Sequence, residues 1–193
     1  KEIAKINLVD IVSYLISARN IEDVVSFVDK FIKVLGQTNT YKSFVFDAKF
    51  LLENYSYNNV TYLNNDYTNY LNKINEYNEQ IYTDLQNNKF NKKFIDSYNN
   101  IVIIIIGLDK FVSSLSDDDK KVFENIINKS KETLKVHFIF IDSSGSLKKR
   151  EFETWYKDTV DSSSGLYIGS GFAEQYVIKP TKLEQSYYEI IGL

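Results

Sequence analysis

Cysteine and methionine are absent from this 193-residue chain, and proline, tryptophan and histidine occur once each. Without cysteine there are no disulfides and no thiolate metal sites, and the redox compartment leaves no mark. The lone His137 excludes a multi-histidine metal centre and leaves little for a histidine-based triad. Within KVHFIFID it reads as a packed or surface-facing imidazole on a strand. Long apolar runs are missing too: the longest, Ile101–Ile106, has six residues, against the ~20 that cross a bilayer. No excess of cations exists either. With 23 basic and 26 acidic residues the net charge is −3, which argues against a general nucleic-acid binder. The chain opens on Lys1 with no signal-like apolar region, as expected of a fragment of a longer protein.

What is present is ordinary for a globular domain: 44% hydrophobic and 25% charged residues, over a length that suits one domain. Asparagine and tyrosine are unevenly spread, with 14 of 19 Asn and 8 of 15 Tyr between positions 54 and 100. A Tyr-rich surface suits recognition. Yet only two arginines stand beside 21 lysines, and that bias points to compositional drift in an AT-rich genome.

Apolar periodicity alternates between strand and helix. Strands are predicted at 11–18, 41–49, 60–64, 101–106 and 136–142, with a late antiparallel pair at 165–169 and 174–180 closed by Pro180. Between them, Asn20 with Asp23 predicts a capped helix whose stripe runs from Ile21 to Leu35 and stops at Gly36. A long helix starts at Asp66 and carries Tyr67, Tyr70, Leu71, Ile74, Tyr77, Ile81 and Leu85 on one side. Ser116 and Asp119 cap another, and residues 146–160 form one more. The tail KLEQSYYEIIGL packs back as a short helix or strand. Strands separated by helices specify a mostly parallel sheet with helices on both faces, the three-layer α/β class.

In such a sheet ligands bind beyond the carboxyl ends of the strands. A P-loop places G-x-x-x-x-G-K-[ST] after the first strand, its backbone N–H groups wrapping phosphate while Lys and Ser/Thr reach phosphate and Mg²⁺. Here that turn is Ser17-Ala18-Arg19-Asn20, followed by Glu22 and Asp23. It has no glycine and no lysine. After the 101–106 strand, Gly107 and Leu108 occupy the places of two metal-holding acids, and Asp109, one step late, reads as the start of a turn. The serine runs 143–146 and 162–164 lack a G-x-S-x-G elbow. Asp117–Asp119 read as compensation of a helix dipole.

The order IVSYLISARNIEDVVSFVDKFIKV, SFVFDA, IVIIIIGLDKF, VHFIFID and GLYIGSGFAEQYVIKPTK resembles the FtsK/SpoIIIE family of RecA-like (P-loop NTPase-like) motor domains. In particular it is similar to the last, degenerate ATPase domain of the membrane-bound motor of type VIIb secretion. The resemblance implies a single RecA-like domain over 1–193, cut from a multidomain ATPase. It implies no catalytic residue, no metal and no cofactor in this domain. Ser17, Ala18, Arg19, Asn20, Gly107, Leu108 and Asp109 would be vestigial nucleotide-site positions. Implied partners are secreted helical-hairpin proteins and toxins and the other domains of the motor, without nucleic acid and without direct membrane contact by this domain. The implied location is the cytoplasmic side of the membrane. Two alternatives stay open: a weak nucleotide-binding motor domain using Arg19 and Asp109, and a structural spacer for motor assembly.

Overall fold

Ile101–Ile106 forms strand β4 with every side chain buried, in a computed structural model that describes residues 8, 10–38 and 41–179. Alternate residues of β4 serve opposite faces, as a strand's two-residue period requires. Ile101, Ile103 and Ile105 enter one core, while Val102, Ile104 and Ile106 enter the other. The remaining strands are β1 (Ser13–Ala18), β2 (Lys42–Asp47), β3 (Val60–Leu63), β5 (Val136–Ser143) and β6 (Gly165–Ile168). They form one six-stranded sheet in the order β3-β2-β4-β5-β1-β6. All five pairings are parallel. Helix α1 (Val25–Thr38) covers one face through Val28, Ile32 and Leu35. On the other face pack α2 (Tyr67–Asn87), α3 (Leu108–Ser114), α4 (Asp117–Thr133), α5 (Ser144–Arg150) and α6 (Thr154–Thr159). This is the three-layer α/β architecture that the periodicity predicts, in the RecA-like form that the resemblance implies.

The late segment departs from the predicted antiparallel pair. β6 lies parallel to β1, with Leu15 opposite Gly165 and Ala18 opposite Ile168. Residues 175–179 join no ladder. The Gln175 side-chain oxygen accepts from Val177 N (2.8 Å) and Ile178 N (2.9 Å), its amide donates to Ile178 O (2.8 Å), and Lys179 N donates to Ser162 O (2.8 Å). A side chain that occupies these donors removes the reason to form a strand. Pro180 and the KLEQSYYEIIGL tail lie outside the described residues.

Helix boundaries moved for equally local reasons. Gly36 does not stop α1, which continues to Thr38. Its missing Cβ makes room for the Tyr57 ring, whose Cγ would lie 2.4 Å from an added Cβ. Asn20 makes no side-chain cap; a 3₁₀ turn at Ile21–Val24 opens the helix instead, with Asp23 N donating to Asn20 O. Ser116 does cap α4, accepting from Asp119 N at 3.1 Å while its hydroxyl donates to the Asp119 carboxylate at 2.8 Å. The predicted 146–160 helix is divided into α5 and α6. Arg150 and Trp155 both donate to Glu153 across that break, which lets Leu147 and Trp155 both reach the core. Between α2 and α4 lies a polar joint that the apolar stripe does not announce: buried Asn78 donates to Ile126 O (2.9 Å) and Ser130 Oγ (3.2 Å) and accepts from Thr133 Oγ1 (3.3 Å).

Candidate functional site

Because every strand points the same way, all six carboxyl ends open onto one edge of the sheet. Ser17 and Ala18 end β1 and are buried, whereas Arg19 and Asn20 are exposed. Ser17 Oγ donates to Asp142 O at 3.0 Å. The Arg19 guanidinium stands 3.9 Å from the Glu174 carboxylate, both well solvated. Exposed Glu22 and Asp23 follow in the next turn.

Gly107 ends β4 at φ 77°, a left-handed backbone that glycine adopts without strain. Its amide donates to Ile141 O at 2.8 Å, and α3 starts directly after it, where the sequence suggests a turn at Asp109-Lys110. The stem of Lys49 crosses Gly107 so closely that an added Cβ would sit 2.4 Å from Lys49 Cγ. Asp47, buried at the end of β2, holds that turn: its carboxylate accepts from Lys49 N (3.2 Å), Leu52 N (2.9 Å) and the Tyr62 hydroxyl (2.9 Å). Burial, with this bond to Asp47, raises the Tyr62 phenol above its ordinary range.

Leu108 is fully buried and belongs to the core. Asp109 is held by α5: Arg150 Nε donates to its carboxylate at 2.9 Å, and Lys149 Nζ at 3.1 Å. Burial pulls the Asp109 pKa up, but Arg150 and Lys149 outweigh it and hold the carboxyl below its usual range. The residue that joins these places is Asp142 at the end of β5, which is none of the site positions predicted from the sequence. Its two oxygens accept from Asp109 N (3.0 Å) and Ser143 N (2.8 Å). Burial pushes its pKa up against those two bonds. An acid at the end of an otherwise apolar strand was its sequence signal.

Of the seven predicted positions, Ser17 and Asp109 are joined through Asp142, Leu108 lies in the core, and Arg19 stands apart. β5 separates β1 from β4, and Asp142 bonds to Ser17 on one side and Asp109 on the other. Arg19 faces the β6 end instead. Among the described residues no cluster of three or more His, Asp or Glu side chains is placed to hold a metal ion. His137 is buried on β5 with Nδ1 2.8 Å from Ile11 O, and burial lowers its pKa.

Beside these residues the same edge carries a cavity of about 330 Å³, between the turn after β2, the start of α2 and the α3–α4 junction. Ala48, Phe50, Tyr67 and Leu115 give it apolar walls, with Lys110 and Asp119 among its polar groups. Phe50 is 59% exposed at φ 58°, with Lys110 Nζ 5.0 Å from its ring centroid. Burial pushes the Tyr67 phenol up to about 12.

No family profile matches the chain, and no curated protein matches it. Solved structures do. The cytoplasmic domain of the Thermomonospora curvata type VII secretion ATPase EccC superposes with a TM-score of 0.55 at 14% identity, over 90% of this chain and 21% of that one. ATPases 2 and 3 of the same EccC, in complex with a signal sequence peptide, give 0.52 at 14% identity, over 90% and 33%. The chain thus spans about a fifth and a third of these two proteins. At this identity the likeness establishes a shared fold, that of the EccC ATPase domains.

Proposed function

We propose that this chain is a non-hydrolysing RecA-like module of a type VII secretion motor, a counterpart of the last ATPase domain of EssC, on the cytoplasmic side of the membrane. Its part is to recognise secreted substrate proteins. The observation that carries this is Lys49 lying across Gly107, where a nucleotide-hydrolysing relative needs an acid. The rest of the carboxyl edge agrees. Asp109 is committed to Arg150, and the turn after β1 offers no glycine loop and adds two acids. These groups do not fit a magnesium–triphosphate, which needs converging N–H donors and cations. The open cavity next to Phe50 sets apolar walls from Ala48, Phe50, Tyr67 and Leu115 among polar residues of the α2 start and the α3–α4 junction, a mixed lining that suits a peptide side chain. The peptide complex of the fold relative EccC supports the same role.

Two measurements test it. Millimolar Mg-ATP is expected to leave the melting temperature unchanged. A ligand at ~100 times its Kd adds about 2.7 kcal/mol, roughly 5–11 °C for a domain this size, so a shift of that order rejects the silent site. Titration with signal segments of candidate secreted helical-hairpin proteins is expected to show binding, weakened about tenfold or more by Phe50→Ala if this ring is the anchoring hot spot. No binding across the panel, or binding indifferent to Phe50→Ala, removes the cavity from consideration.

A further inference from the structure

Helix α2 ends in a loop with an unusual surface. Asn88 donates back to Asp84 O, and Lys89 and Phe90 then both adopt left-handed backbone, φ 53° and 60°. That conformation is unfavourable for residues with a Cβ; Phe90 N closes the turn by donating to Leu85 O (2.8 Å), and the Phe90 ring stands edge-on to Tyr82 at 6.4 Å, one side still open to solvent. Asn91 caps the next 3₁₀ turn, Lys92–Ile95, by accepting from Lys93 N at 3.2 Å. The base is anchored: Ile81, Leu85 and Ile95 form their own buried cluster, flanked by Tyr77 and Tyr98.

Above that anchor every residue from Lys89 to Phe94 is exposed. Phe90 is 52% and Phe94 56% exposed, and they alternate with Lys89, Lys92 and Lys93. Among the described residues none of the three lysines forms an ion pair. No acidic residue lies between Asp84 and Asp96, and Asp84 is engaged by the Tyr98 hydroxyl. The loop leads from α2 into β4, so it stands at the amino edge of the sheet, opposite the candidate site.

We propose that the Lys89–Phe94 loop is a membrane-surface contact, with Phe90 and Phe94 entering the boundary between headgroups and acyl chains while Lys89, Lys92 and Lys93 meet anionic headgroups. Charge complementarity and the interleaved phenylalanines favour this occupant. Protein interfaces are depleted in lysine. Single-stranded nucleic acid needs a groove that tracks its backbone, whereas this is one short exposed turn between α2 and a 3₁₀ turn. The assignment is independent of the proposed function and runs against the resemblance-based expectation of no direct membrane contact, so the experiment decides between them.

The test is co-sedimentation of the 193-residue chain with phosphatidylserine–phosphatidylcholine vesicles and with phosphatidylcholine alone. Binding is expected only to the anionic vesicles and is expected to weaken with salt. Each of Lys92→Gln and Lys93→Gln should cost about fivefold. Phe94→Ser should lower binding with the charge intact, and Phe94→Trp should show a blue-shifted emission on vesicles. All three sites are exposed, so the melting temperature should not move. Lys120→Gln with Lys121→Gln, on α4, should leave binding unchanged. Absence of binding to anionic vesicles overturns the proposal, as does binding that the loop variants do not alter. Capture of a single-stranded oligonucleotide in place of vesicles reassigns the loop to nucleic acid.

Discussion

Phe123→Ala is expected to lower the melting temperature by roughly 6–20 °C. The side chain is buried on α4 and stands at the crossing of three aromatic contacts: Phe111 at 5.5 Å, Phe138 at 6.0 Å and Trp155 at 5.3 Å between ring centroids. These come from α3, β5 and α6, so one ring ties the sheet to two helices. Truncating such a group costs about 3–5 kcal/mol through lost transfer energy and an unfilled cavity, and ~1 kcal/mol moves a domain of this size by about 2–4 °C. Phe123→Leu, which keeps most of the volume, should cost about 1–2 kcal/mol. Thermal scans of both variants check this. Equal losses would mean that the aromatic contacts, not the filled space, carry the effect.

The second large effect is Arg150→Ala. Arg150 donates to the Asp109 carboxylate and backbone carbonyl, both at 2.9 Å, and to Glu153 at 2.6 Å. Its side chain is 14% exposed against 22% for Asp109. Removing the partner of a buried charge costs 3–5 kcal/mol; this pair keeps some solvent, so about 2–3 kcal/mol is expected. The effect depends on pH. The pairing holds the folded-state pKa of Asp109 below its ordinary 3.8, so its contribution is complete above that value. It is lost as pH falls through the lowered pKa. The gap between wild type and variant in urea unfolding should therefore be full near neutrality and narrow below about pH 4. A gap that persists unchanged in acid would assign the contribution of Arg150 to packing.

The sheet was readable in the sequence because burial on both faces leaves nearly pure aliphatic or aromatic runs, as in β4 and β5. Helix α4 was readable because Ser116 performs a local task that three residues suffice to specify. What escaped depends on residues far apart in the chain. Gly36 looks like a terminator until Tyr57 is seen lying on it. Asp109 looks like a turn residue because its partner Arg150 is 41 positions away. The direction of β6 follows from its place beside β1, and an isolated four-residue run carries no sign of parallel or antiparallel pairing. At the candidate site the missing motifs were visible. The occupation of that space by Lys49, and the joining role of Asp142, arise only when β2, β4 and β5 are side by side.

Both outermost strands of the sheet, β3 and β6, are four residues long, against six to eight for the inner four. Such stubs present few free amides and carbonyls to an incoming chain. An extended segment laid along either margin would gain little from main-chain pairing. Selectivity for a visiting sequence therefore has to come from what its side chains fit, and copies of this fold are poorly equipped to stack into a continuous filament.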